Sequence, residues 1–289
     1  MDYKANTHTF EKENINDGFF SIALQFTRNC NYQCMHCSED ERVPSMDDGL
    51  LYKVLDNIVD HGVKRVNVSG GEPTLRKNWI QHIKYLSDRN VSVSLATNCS
   101  TLNDDYLQEL KGNLANIRVS IYGDEKTHDG ITGRKGSYQK QIEVTKVAKE
   151  LGIPTYACMA IMQNNLSEIK EAHKFCEDAG MEKLLIYSLV PKGRGMEIFD
   201  DQHVSRQEVK SELEKLSFKK PEIYWSPFDL DGICALIQAD GSLVATPFFG
   251  DESKVKMVGY AHTTSLMDLW KAYPFKKNYL DFNKEKMKC

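Results

Sequence analysis

The stretch FSIALQFTRNCNYQCMHC, residues 20–37, joins a strand to a candidate metal site with nothing between them but a short turn. Its first eight residues form an apolar run of strand length, as a buried strand requires. Cys30, Cys34 and Cys37 follow at C-x3-C-x2-C spacing. A closed tetrahedral zinc site takes four ligands, and this run supplies three thiols. His36 is the local candidate for a fourth, but Cys37 beside it makes simultaneous ligation sterically awkward. Three thiolates also suit an iron–sulfur cluster whose remaining iron stays open to a substrate or cofactor.

Outward from that strand, apolar runs alternate with amphipathic segments. Residues 46–62 carry Leu50, Leu51, Val54, Leu55, Ile58 and Val59 at helical spacing and stop at Gly62. RVNVSG (65–70) is the next strand, NWIQHIKYLSDR a helix, and VSVSLATN (91–98) a strand. NDDYLQELKG is a short helix with an Asn-Asp start and a Gly stop, and NIRVSIYG (116–123) a strand. Helix 137–152, strand 154–162, helix 165–180, strand 183–190 and the helix VSRQEVKSELEKLS complete six strand–helix units. Repeated units of this kind predict a parallel sheet covered by helices and curled by right-handed crossovers. A closed (β/α)8 barrel needs eight units. Six predict an α/β fold with a partial (β/α)6 barrel over residues 20–218, preceded by an extension at 1–19. From 219 to 289 the pattern changes to a small α+β appendage. GICALIQADGSLVATPFFG (232–250) reads there as a hairpin turning at Asp240-Gly241, and TSLMDLWKAY as a short helix.

Composition narrows the function. The net charge is −4, which gives no reason to expect nucleic acid or an anionic membrane as partner. No run approaches the ~18 apolar residues of a membrane span, and residues 1–20 hold no apolar signal core. The expected compartment is the cytoplasm, where thiols stay reduced and clustered cysteines read as metal-binding or catalytic.

In a parallel α/β barrel the chemistry sits at the C-terminal ends of the strands. The cysteines follow the first strand. The second ends in NVSGGEPTL (67–75), where Gly70 and Gly71 permit close backbone approach, Glu72 offers an acceptor for an ammonium group and Pro73 stiffens the turn. Alone, Gly-Gly-Glu-Pro is an ordinary turn; one unit after the cysteines it becomes specific.

LQFTRNCNYQCMHC and VNVSGGEPTL together resemble the cluster-binding and methionine-binding segments of the radical SAM superfamily, and the resemblance extends over about residues 20–275. It implies one [4Fe-4S] cluster on Cys30, Cys34 and Cys37, with S-adenosylmethionine chelating the fourth iron. Reductive cleavage of that cofactor to a 5′-deoxyadenosyl radical and hydrogen abstraction from a substrate are further implications. A flavodoxin- or ferredoxin-type electron donor is implied as partner. Gly70, Gly71, Glu72, Pro73 and His36 join the cofactor site by this likeness. So do Ser120 and Asn98 at strand ends, Arg134 in HDGITGRKGSY (128–138), and Leu189, which opens LVPKGRG where the family's strand meets adenine. Arg194 is a candidate for an anionic group on the substrate. His128 lies near the barrel mouth as a lesser catalytic candidate. Cys99, Cys158 and Cys176 read as packed thiols, and His8, His61, His82 and His173 as surface or helix-face residues.

The appendage resembles the start of a SPASM or twitch extension, where further cysteines hold auxiliary clusters. Cys234 stands at the first such position, but Thr246 stands at the second, so the extension reads as degenerate and the auxiliary cluster as absent. Cys234 is left as a buried relic, a hydrogen-atom donor or a ligand; Cys289 has no assigned role. The branch implies modification of a ribosomal peptide or a natural-product intermediate. The alternatives are a sugar or aminocyclitol epimerase, dehydratase or dehydrogenase, and, in a different class, a non-catalytic iron–sulfur electron carrier or assembly protein.

Overall fold

The computed structural model describes residues 4–5, 18–39, 44–216, 221–226, 234–246 and 255–278. The chain divides into two compact units, one of residues 1–6, 30–39 and 95–227, the other of residues 7–29, 40–94 and 228–289.

The second unit begins with β2 (Ser21–Thr27), following a two-residue β1 (Lys4–Ala5) that belongs to the first unit. Nearly every residue of β2 is buried, as an apolar run without alternation demands. Helix α1 (Asp48–Asp60) starts where the Asp47 carboxylate accepts from Leu50 N, and it buries Leu51, Val54, Leu55 and Ile58. β3 (Arg65–Gly70) pairs in parallel with β2, with an irregularity that places Thr27 opposite Gly70. Helix α2 (Trp79–Ser87) covers the pair with Ile83 and Leu86. The appendage returns here. β9 (Cys234–Ile237) adds in parallel to β2, and β10 (Ser242–Thr246) and β11 (Lys256–Tyr260) continue antiparallel. Gly241, at φ +86, makes the hairpin turn that Asp240-Gly241 predicts. Ser265 caps α10 (Leu266–Ala272).

In the first unit, β4 (Ser92–Thr97, its last three residues lying in this unit) is followed by α3 (Asp104–Leu110) and β5 (Asn116–Ser120). Helices α4 (Glu125–Thr132) and α5 (Ser137–Glu150) lead to β6 (Thr155–Ile161), and α6 (Ile169–Ala179) to β7 (Lys183–Ser188). Short α7 (Arg194–Glu197) and α8 (Phe199–Gln202) precede α9 (Arg206–Glu214) and β8 (Glu222–Ser226). Strands β5, β6, β7, β8 and β1 pair in that order, all parallel. The α/β class expected from the sequence is therefore present, with parallel strands followed by an antiparallel C-terminal set.

Three local readings change. EIYWS belongs to β8, so the parallel sheet continues past residue 218 rather than giving way to the appendage. The segment read as a loop from His128 starts inside α4, which Asp124 caps through Thr127 N and Gly133 ends at φ +65. Ile131 is its one large apolar residue, so hydrophobic periodicity had little to detect. His82 and His173, read as surface or helix-face residues, are buried. Each stands among the apolar positions of the inward side of its helix.

Candidate active site

In the first unit the three cysteines stand outside any disulfide, half-buried in a loop tied down from several directions. Met35 N donates to Ile131 O at 3.0 Å, and Cys37 N to Cys34 O at 3.2 Å. The PKGRG segment closes on the same loop: Gly195 N donates to Cys37 O at 3.2 Å, and Arg194 Nε to Cys34 O at 2.9 Å. Arg194 thus holds the loop's backbone.

Burial pushes the Cys34 thiol up to about 12, with Cys37 and Cys30 adding to the rise. Three ionised sulfurs so close would repel one another, and cationic metal reverses that balance. Among the described residues no three His, Cys, Asp or Glu side chains converge as ligands of one ion would. Thiolates on separate irons of a cluster need no such convergence. The donor set therefore fits a three-thiolate cluster better than a closed zinc site.

His36 lies between two of these cysteines. Burial, then Arg194 and His128, depress its imidazole to about 4, so it is neutral at neutral pH. Its Nε2 and the Tyr122 hydroxyl are 3.0 Å apart, and its Nδ1 is sealed from solvent without a hydrogen-bond partner. Tyr122 also shares a hydrogen bond with Ser120, and its ring stacks on His128 at 5.4 Å. The sequence reading had passed over Tyr122; its signal was an aromatic just past the end of NIRVS.

Asn98 follows the last residue of β4 and lies 3.8 Å from Cys30 Sγ through Nδ2, which also donates to Asn31 Oδ1 at 3.0 Å. Asn31 Nδ2 donates to Ser100 Oγ at 2.8 Å, and Gln141 Nε2 to Asn98 O at 2.9 Å. Cys99 is buried at φ +64, a conformation that lets Asn98 and Ser100 both reach Asn31. Leu189 packs with Tyr122, Ile131 and Met162 in a buried cluster. Arg134 is exposed in the turn between α4 and α5. Ser120 and Asn98 are thus brought to the cysteine loop's network, and Arg134 is not.

The second unit holds the other motif. Gly70 adopts φ +149, and a Cβ there would overlap Thr27 O. A Cβ on Gly71 would overlap the carbonyls of Arg28 and Asn29. Gly71 N donates to Thr27 O at 2.8 Å and Glu72 N to Asn29 O at 2.7 Å. The glycines are required because the motif lies flat on the backbone that runs into Cys30. Glu72 is fully buried, and its Oε1 accepts from Thr74 N at 3.1 Å and Thr74 Oγ1 at 2.5 Å. That carboxylate caps the 3₁₀ turn Pro73–Leu75, a role the sequence reading did not assign. Cys234 opens β9 in backbone register with Thr246 of β10; both side chains, and Cys289, lie outside the described residues.

A three-cysteine loop in one unit and, in the other, a glycine motif at the end of a parallel strand mark the chain as an α/β protein equipped for a cluster. Residues 24–176, more than half of the chain, match the family described as the radical SAM superfamily, and the chain belongs to it. That family implies a [4Fe-4S] cluster and S-adenosylmethionine. The chain is 28% identical over 170 residues to the PqqA peptide cyclase of Bradyrhizobium diazoefficiens, covering 57% of this chain and 45% of that one. It is 28% identical over 182 residues to an AdoMet-dependent heme synthase of Methanosarcina barkeri, covering 61% and 52%. It thus spans about half the length of the curated relatives it matches. The solved structure of native anSMEcpe with bound AdoMet and Kp18Cys peptide superposes with a TM-score of 0.71 at 14% identity, covering 89% of this chain and 82% of that one. At that identity the likeness concerns the fold, a partial barrel with C-terminal antiparallel strands.

Proposed function

We propose that the chain is a radical SAM enzyme that modifies a ribosomally made peptide. The gathering of Cys30, Cys34 and Cys37 in one loop, tied down by Ile131 and Arg194, carries the reading. These three residues would hold the cluster. Gly70, Gly71, Glu72 and Pro73, with Ser120, Asn98 and His36, would hold the cofactor. When bound, the pair supplies reductive cleavage of a sulfonium and a carbon radical able to take a hydrogen atom from substrate.

The chain's own contribution is position and exclusion. The Gly70–Gly71 backbone lies against residues 27–29 without a side chain between, which fixes the motif on the chain segment that leads to Cys30. Tyr122 fixes the His36 ring through Nε2. The apolar packing of Leu189, Ile131 and Met162 around Tyr122 keeps water from that side. Residues 20–218 together with β8 would act as the barrel, and the chain from there to 289 as a reduced SPASM-like appendage. A flavodoxin- or ferredoxin-type protein would deliver the electron, in a reducing compartment. The PqqA cyclase, a peptide enzyme by name, supports the choice of peptide over small molecule; the heme synthase supports the alternative.

Anaerobic reconstitution tests the reading. Iron near four per chain and 5′-deoxyadenosine on addition of dithionite and S-adenosylmethionine are expected, and Cys34→Ala abolishes both. An intact cluster that yields no 5′-deoxyadenosine would refute the enzyme. Iron near eight would refute the single cluster. Deuterium transfer from a labelled peptide into 5′-deoxyadenosine decides the substrate class.

A further inference from the structure

The sheet of the first unit has two unlike faces. Ile117 and Val119 of β5, Ala157 and Met159 of β6, and Leu184 and Ile186 of β7 are all fully buried; α6 packs on β6 and β7 from that side. Side chains alternate along a strand, so the opposite face carries Arg118, Ser120, Tyr156, Cys158, Lys183 and Tyr187, all half-buried. Register places Arg118 beside Tyr156, Ser120 beside Cys158, and Tyr156 beside Lys183.

Two cations therefore stand on one face with an aromatic ring between them. Lys183 Nζ lies 4.8 Å from the Tyr156 ring centre and 5.4 Å from that of Tyr224. Arg118 Nε is sealed from solvent with no hydrogen-bond partner, and no ion pair to Arg118 forms among the described residues. Among the described residues a titratable group beside Arg118 is Cys158, whose thiol accepts a hydrogen bond from Tyr187, while Glu222, the register partner of Lys183, accepts from the Tyr224 hydroxyl. Burial keeps that thiol protonated at neutral pH despite Arg118, so it leaves the guanidinium unneutralised. A desolvated guanidinium edge without an acceptor is costly. A fold retains it readily where a ligand supplies the missing oxygen.

We propose that Arg118 binds a carboxylate of the substrate on this face, with Lys183 adding positive charge. In a peptide that group is an aspartate or glutamate side chain or a chain terminus. Calling the ligand a substrate rests on the enzyme reading above; the anion site does not. A planar carboxylate suits the geometry, because the Nε and Nη edge of one guanidinium matches two coplanar oxygens. A phosphate would draw further donors, and the backbone N–H groups of β5 to β7 are committed to the sheet. The cofactor's own carboxylate is a poorer match. Arg118 lies two residues behind Ser120, roughly 6.6 Å further from the strand end that faces the cysteine loop.

Glutarate, a mimic of a glutamyl side chain, is the probe. Its binding to the reconstituted full chain can be followed by calorimetry without turnover, so a negative result leaves the 5′-deoxyadenosine test standing. Saturable binding is expected, weakened at least tenfold in Arg118→Gln and less in Arg118→Lys, with S-adenosylmethionine affinity unchanged in both. In the unmodified protein, glutarate should slow labelling of Cys158 by a methanethiosulfonate reagent, read by peptide mass, which needs no variant to fold. Three results overturn the proposal. One is glutarate binding Arg118→Gln as tightly as the parent while leaving Cys158 unprotected. Another is a tenfold fall of S-adenosylmethionine affinity in Arg118→Gln, which assigns the residue to the cofactor. The third is inorganic phosphate matching glutarate in an Arg118-dependent way.

Discussion

At the scale of single residues, Gly70 and Gly71 are the positions where the site depends on something as small as a missing methyl. Gly71→Ala drives a Cβ into two backbone carbonyls that cannot rotate away. Gly112, at φ +82, has nothing within 4 Å of the same added atom. Gly112→Ala should therefore cost about 1 kcal/mol, the strain of the left-handed region alone. Gly71→Ala should cost roughly 3 kcal/mol or more, because backbone must move. Urea melts of the two variants side by side check this; equal midpoints would mean that the close approach is not tight. The thiols supply a second expectation. With Cys34 at about 12, only on the order of one in ten thousand apo molecules holds its thiolate at pH 8, and alkylation by iodoacetamide should be correspondingly slow. Reaction of Cys34 at the rate of an exposed thiol would show that burial does not hold the thiol protonated.

At the scale of elements, the appendage is tied to helix α1 by one side chain. Asn57 Nδ2 donates to Ala261 O and Thr264 O, both at 2.8 Å, and its Oδ1 accepts from Leu266 N at 2.9 Å. Asn57→Ala strands three backbone groups and should cost about 2–3 kcal/mol. Limited proteolysis, with cleavage appearing first in residues 255–278, would follow the loss. Asn57→Asp should be worse, since it points a carboxylate at two carbonyls. This clasp also shows where sequence reading stops. The strands and most helices were legible, because apolar periodicity and capping residues such as Asn103 and Ser265 announce them locally. Asn57 was not, because its partners lie more than two hundred residues away and an asparagine on a helix looks like any solvated residue. The same division runs through the candidate site. Cys30, Cys34, Cys37 and the Gly70–Pro73 motif were legible from spacing. Tyr122 and the unpartnered Arg118 edge emerge only when strands are laid side by side, whereas the Glu72–Thr74 cap is local and is masked by the carboxylate's expected role as an acceptor for ammonium. β8 was missed for a related reason. EIYWS is short and mixed, and only its parallel partners β7 and β1 identify it as part of the sheet.

At the scale of the whole molecule, buried histidines set how the fold responds to acid. His82 in one unit and His128 in the other are both fully buried, and both ring nitrogens of each lack hydrogen-bond partners. Burial depresses each imidazole to about 4. Charged neighbours act on both. Asp48, 3.7 Å from His82 Nε2, favours its cation and Arg76 opposes it; Asp129 favours the cation of His128. Desolvation outweighs the carboxylate in each case. An unfolded chain binds protons on these rings near pH 6.5, whereas the folded chain resists until about pH 4. Between those values the unfolded state holds more protons, so stability rises with pH through the window and is lost as pH falls from 6.5 toward 4. Above pH 7 neither ring contributes. Each fully buried ring should account for about 2 kcal/mol of loss by pH 5. His82→Leu removes one titration without breaking a hydrogen bond, though it gives up edge contacts with Phe26 and Tyr52. The variant should melt at or somewhat below the parent at pH 7.5. Its melting temperature should then fall distinctly less than the parent's between pH 7.5 and 5. Comparing the two slopes cancels any acid loss of metal, which both proteins share. Parallel slopes would show that His82 titrates in the folded chain as it does in the unfolded one, with Asp48 offsetting the burial.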